Sequence, residues 1–275
     1  MRAGTTSIRD YLYEAPGPKT RKRIAVGTAV SLLALAVLLF LVVRQFYITG
    51  QLSAKYWKLF TQASTWRFLG QGLAGTLKAA LTASVLVFFL GMVLMLGRIS
   101  GIPLNQAIST VLTEFSRGVP TLLFIYFFFL VVPQMGVKLS AFWKVTAPVA
   151  ISAAGMVAEV LRSGVNAVPK GQREAAVSLG MGRSSVFFKI IFPQAFRSVI
   201  PALISESVIV LKDTTFAYVV NFPDLMQNAK VLISNHDALL SVYLVVAVIY
   251  ILINYLLNKA SVAAARRTNA AATRQ

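Results

Sequence analysis

The sequence predicts an all-α, polytopic membrane protein with about six transmembrane helices. Three observations lead there. The chain is 57% hydrophobic and only 13% charged, where an ordinary soluble domain carries about 25% charged residues. Its apolar residues gather into uncharged runs of about twenty, the length of helix that crosses about 30 Å of hydrocarbon. The 27 basic residues that set the net charge of +18 lie mostly between those runs.

The elements follow in chain order. Met1–Arg23 is polar and closes on the basic cluster Lys19, Arg21, Lys22 and Arg23. Ile24–Val43 carries no charge and reads as the first span. It is too long for the apolar core of a signal peptide, and the following RQFYITG offers no small-residue cleavage site. Arg44–Gly70 mixes Trp57 and Trp66 with Lys55, Lys58 and Arg67, and reads as an interfacial segment. Ala79–Gly97, bounded by Lys78 and Arg98, is the second span. Ile99–Gln106, with Gly101 and Pro103, reads as a short loop. Gly118–Val137 is the third span, with Pro120 set to bend or start a helix. Val145–Val165 is the fourth and carries Glu159 and Arg162. Ile190–Leu211, with Arg197, Pro201 and Glu206, is the fifth. Leu211–Asn235 reads as an amphipathic external segment, and Ala238–Asn258 as the sixth span. The Ala/Arg-rich tail is expected to be disordered.

Composition also excludes functions. The absence of cysteine removes disulfides, thiolate nucleophiles and cysteine metal sites. A single histidine, His236, argues against a histidine metal centre. The basic residues form no compact domain with interleaved aromatics, so no nucleic-acid partner is expected. No GxxxxGK[ST] loop occurs, so the chain is not expected to bind ATP by that route.

The most informative stretch is EAAVSLGMGRSSVFFKIIFP, Glu174–Pro193. Gln172–Leu179 reads as a short helix, Gly180 as its left-handed terminator, and Ser184 or Ser185 as the cap of a second helix. The result is a helix–turn–helix elbow between two apolar spans. Ala175 and Ala176 leave a low surface that a partner can approach, and Glu174 adds charge to it.

Glu174-Ala175-Ala176, Gly180, Ile190 and Pro193 at this spacing resemble the EAA loop of ABC importer permeases, departing only at Phe192, where leucine is usual. GLAGTL at 72–77 resembles the GxxxTL opening of the permease core, and MVAEVLRSGVNAVPKGQREAA from Met156 resembles a longer family run; SRGVPT at 116–121, with Arg117, Gly118 and Pro120, and KDTT at 212–215 resemble elements of the polar amino-acid branch. Met156 stands where the family usually has an aromatic residue. The resemblance spans residues 72–259. It implies an ABC type I importer permease core of five helices, preceded by a tail, an extra span and an interfacial segment over 1–71. It is followed by a disordered basic tail over 260–275.

The same resemblance implies function and partners. The loop 170–193 becomes a coupling helix that docks on a cytoplasmic ATP-binding dimer through Gln172, Glu174, Ala175, Ala176 and Gly180. A second permease subunit and an extracytoplasmic substrate-binding protein complete the assembly. ATP and magnesium sit on the partner ATPase, and no cofactor is expected on this chain. The subfamily carries polar amino acids, with a lean towards glutamate or aspartate. The rival is an ATP-independent channel or secondary transporter. The latter usually shows internal repeats, and none is found.

Ionisable residues inside spans are the default functional candidates. Glu159 and Arg162 share a helix face and are expected either to pair or to serve the substrate. Arg197 and Glu206 fall on opposite faces of one ideal helix. Arg197 can snorkel to the interface, whereas Glu206 is expected to face a cavity. The expected substrate path comprises Glu159, Glu206, Lys212, Asp213 and Thr214. Basic residues near the span ends place both termini and the elbow in the cytoplasm of a multi-pass plasma-membrane protein, with Arg44–Arg67 as the exception.

Overall fold

The computed structural model describes residues 17–272, with side chains through Ala263. Among these residues every regular element is helical. The chain divides into two units, one ending at Tyr56 and one beginning at Trp57.

In the first unit, helix α1 (Pro18–Ile48) starts with Pro18 at its first turn, where a missing N–H is harmless. It extends beyond Ile24–Val43 at both ends and takes in the basic cluster. None of its residues is buried. Thr49 closes it, the hydroxyl donating to the Gln45 carbonyl at 2.9 Å. A short helix, α2 (Ala54–Trp57), follows.

The second unit opens with a 3-10 turn over Lys58–Thr61 and then α3 (Ala63–Ile99). The stretch 44–70 is therefore not one separate element. It is the end of α1, a turn region and the first two turns of α3. The Trp66 indole N–H donates to the Phe60 carbonyl at 2.8 Å and ties the turn to the helix. Polar residues such as Thr65 and Gln71 hid the start of α3, because a helix may project beyond its apolar stretch.

The loop expected over Ile99–Gln106 is also shorter. Helix α4 (Pro103–Gly118) begins at Pro103, again in the first turn. Val119 and Pro120 break the chain, and α5 (Thr121–Tyr126) leaves at 98° to α4. Pro120 provides no N–H and sits in an extended conformation, φ −58°, ψ 135°. The path continues through a π turn, Phe127–Val131, and a 3-10 turn, Val132–Met135. The expected third span, 118–137, is thus not one continuous helix.

Helix α6 (Ala141–Ala167) packs along α3 and against α9 (Phe192–Asp213). Val87, Met95, Val149, Val157 and Leu161 form the shared interior. In lipid, helices associate through close packing and interhelical hydrogen bonds rather than through burial from water, and small residues allow that approach. A Cβ at Gly164 would lie 3.0 Å from the Ala195 carbonyl oxygen. One at Gly155 would lie 2.6 Å from that of Thr113. These glycines set how closely α9 and α4 lie on α6.

Between α6 and α9 lie α7 (Lys170–Ser178), α8 (Arg183–Val186) and a π turn, Phe187–Ile191. Beyond α9 a 3-10 stretch, Thr214–Val220, leads to α10 (Leu225–His236) and α11 (Leu239–Ala272). Ser261 ties α11 to α9 by donating to the Pro201 carbonyl at 2.9 Å. Residues 260–272, expected to be disordered, continue α11. Alanine is the best helix former, and an Ala-rich stretch extends a helix already nucleated. The amino-terminal tail up to residue 16 and residues 273–275 lie outside the described residues.

Five described helices are long and apolar enough to cross a membrane, or six if the bent pair α4–α5 is one span.

Candidate functional site

The elbow forms as a helix with a glycine stop. Met181 N–H donates to the Ala176 carbonyl at 3.1 Å and Gly180 N–H to that of Val177 at 2.9 Å. This paired closure needs a left-handed residue at Gly180, which has φ +78°. Gln172 is held from the far side, where the Gln194 amide donates to its side-chain oxygen at 3.3 Å.

The two alanines part company. Ala176 is buried, 4% exposed, whereas Ala175 is exposed, with Val177 and Leu179 standing out beside it. Adjacent residues sit about 100° apart on a helix, so both cannot share one face. The open surface is Ala175 with Glu174, not the pair. The second helix is capped by Gly182 rather than by Ser184 or Ser185, and no side chain bonds its first turn.

Within the spans, Glu159 gathers three guanidinium groups. Arg162 donates to Oε2 from Nη2 at 2.7 Å and from Nε at 3.0 Å. Arg98 donates to Oε1, and Arg117 stands 4.0 Å from the same oxygen. Arg117 also reaches Glu114 at 3.3 Å. The i,i+3 pair was readable in the sequence. The partner from α3 was not, since only packing brings residues 98 and 159 together; its one signal was a cation closing an uncharged run.

A second polar group sits beyond the α4–α5 break. The Thr121 hydroxyl donates to Asp213 Oδ2 at 2.7 Å and lies 2.9 Å from the Ser152 hydroxyl. Asp213 therefore meets the SRGVPT element, a contact the sequence did not reveal. Its neighbours point elsewhere. Lys212 is exposed, and buried Thr214 donates to the Leu211 carbonyl at 2.7 Å. Lys212, Asp213 and Thr214 do not share one surface.

Glu206 is half-buried and lines a cavity of about 260 Å³ with Ser84, Phe88, Val157, Ser207 and Val210. It makes no hydrogen bond or ion pair among the described residues. It stands two turns from Asp213 along α9, so the two acids occupy separate levels. Arg197 is exposed, and the described residues show no pair between it and Glu206. No group of three or more histidine, cysteine or acidic residues fit to hold a metal occurs among the described residues.

The family described as binding-protein-dependent transport system inner membrane component matches residues 94–269, more than half of the chain. The chain belongs to this family. The permease is 35% identical to the glutamate transport system permease protein GluD of Corynebacterium glutamicum, over 75% of this chain and 77% of that protein. It is 33% identical to the probable glutamine ABC transporter permease protein GlnP of Bacillus subtilis, over 70% and 90% of the two chains. A solved structure described as an amino acid ABC transporter with histidines superposes with a TM-score of 0.71 at 29% identity, covering 76% of the permease and 98% of that chain. The MetNI methionine ABC transporter shares the fold, with a TM-score of 0.64 at 16% identity, over 75% and 99% of the two chains. The permease is thus a membrane subunit of a binding-protein-dependent ABC amino acid importer. Its family implies an ATP-binding subunit and a substrate-binding protein as partners.

Proposed function

We propose that the permease imports acidic amino acids, glutamate or aspartate, with α7 as the element that receives the ATPase stroke. The observation that carries the coupling role is the α7 surface. Ala175 is open between Glu174 and the exposed Val177 and Leu179, while Ala176 and the Gly180 turn fix the helix to the membrane core. An apolar patch with one low residue and one charge suits a protein groove.

The elbow then faces the cytoplasm, with both termini on that side. ATP and magnesium bind the partner ATPase, whose closure draws two elbows together within a permease pair. ATP shifts the equilibrium only by binding one conformation better than the other. Two features support an anionic cargo. One relative is named for glutamate transport. The guanidiniums of Arg98, Arg117 and Arg162 also outnumber the carboxylates of Glu114 and Glu159 around them.

The test is reconstitution with the cognate ATPase and binding protein, followed by uptake under competition from each of the twenty amino acids. ATP-dependent uptake competed most strongly by glutamate or aspartate is expected. Competition confined to neutral or basic amino acids overturns the substrate. Flux through the lone chain without ATP overturns the coupled mechanism.

A further inference from the structure

At the end of the bundle opposite the elbow, α10 is fastened to α3 by its first residues. A Cβ at Gly72 would lie 2.7 Å from the Asp224 carbonyl oxygen, and one at Gly75 would meet that of Pro223. Only a chain without side chains at 72 and 75 lets the backbone at 223–224 rest on the helix. Leu225 N–H donates to the Thr76 hydroxyl at 3.0 Å, and the Asn228 amide donates to the Phe68 carbonyl at 2.7 Å.

Asp224 sits at the centre of this contact with no exposed surface. Its Oδ1 accepts from Gln227 N–H at 2.7 Å and caps α10. Among the described residues its Oδ2 has no hydrogen-bond partner. The Tyr250 hydroxyl of α11 is buried near Thr76. No ion pair to the carboxylate occurs among the described residues. On α3, Arg67 and Lys78 are exposed; on α10, Lys230 is exposed and lies over the Tyr218 ring of the 3-10 stretch; His236 and Asp237 lie at the far end of α10. On α11, Tyr250 is the titratable group beside it. A buried, unpaired carboxylate is costly, and a proton removes the cost.

We infer that Asp224 is a proton-binding site: a proton on its buried, unpartnered Oδ2 removes the cost of the charge and so latches α10 onto α3. Pro223, Asn228 and Gly75 also line a cavity of about 380 Å³ with Lys78 and Phe142. The latch therefore fixes one wall of that cavity.

Burial pushes the Asp224 carboxyl up to about 6, against an ordinary value of 3.8. When α10 lifts, the carboxyl regains the ordinary value. The closed form thus binds more protons between these limits, and acid tightens the latch. Opening should fall roughly tenfold between pH 7 and pH 5, the effect of about one pKa unit of linkage.

Hydrogen exchange of the reconstituted transporter in lipid nanodiscs reads this directly. After correction for the intrinsic rate, amides of 225–232 should gain about tenfold protection from pH 7 to pH 5. Asp224→Asn keeps the cap and replaces the proton with a fixed N–H, so its protection should be independent of pH. Flat or falling protection in the wild type overturns the latch, as does an Asp224→Asn profile that tracks the wild type.

Discussion

Thr121 and Asp213 are 92 residues apart in the chain, and a 2.7 Å hydrogen bond joins them just past the break between α4 and α5. It pins the start of α5 to the end of α9. Without the Thr121 hydroxyl, a half-buried carboxylate loses a donor. Thr121→Val keeps the shape and should lower stability by about 1–3 kcal/mol, the cost of an unsatisfied buried group. Thr121→Ser should retain most of it. Thermal unfolding of the purified complex checks both, and equal melting temperatures for Val and Ser would refute the bond's role.

What the sequence disclosed and what it hid divide along physical lines here. Uncharged runs such as Ala79–Gly97 and Ala238–Asn258 were legible because hydrocarbon demands them. The elbow was legible because Gly180 needs a positive φ at a fixed place after the alanines. Helix ends were not: α4 is amphipathic and polar enough to resemble a loop region, and α3 begins well before its apolar stretch. The split of Ala175 from Ala176 follows from helix geometry and was missed by treating neighbours as one surface. Contacts such as Arg98–Glu159 and Thr121–Asp213 are set by packing across the bundle, which one sequence does not reveal.

The Glu159 cluster joins α3 to α6. Its carboxylate is partly exposed, so the pair energy is moderated by screening. A double-mutant cycle of Arg98→Ala and Glu159→Ala should give a coupling of about 1–2 kcal/mol. Arg162→Ala should couple to Glu159 as well, because it occupies the other oxygen. A coupling indistinguishable from zero for Arg98 would show that α3 and α6 are held by packing alone.

Glu206 presents the opposite case, an acid lining a cavity without a partner among the described residues. Glu206→Gln preserves size and removes charge. A residue on the transport path should then shift the substrate concentration for half-maximal uptake several-fold, with assembly unchanged. If uptake kinetics stay normal while Glu206→Ala lowers the melting temperature, Glu206 serves packing only.

The central claim is that α7 passes the ATPase stroke to the membrane helices, and the split between its alanines gives a direct test. Ala175 is exposed, so Ala175→Arg should fold and assemble as a permease yet obstruct the docking surface. ATP-driven uptake is measured in proteoliposomes holding the permease, its ATPase and its binding protein. The account predicts that Ala175→Arg lowers uptake at least tenfold, a loss of about 1.4 kcal/mol or more in coupling, with normal insertion of the permease. Uptake at the wild-type rate, with hydrolysis still coupled to it, would contradict the account.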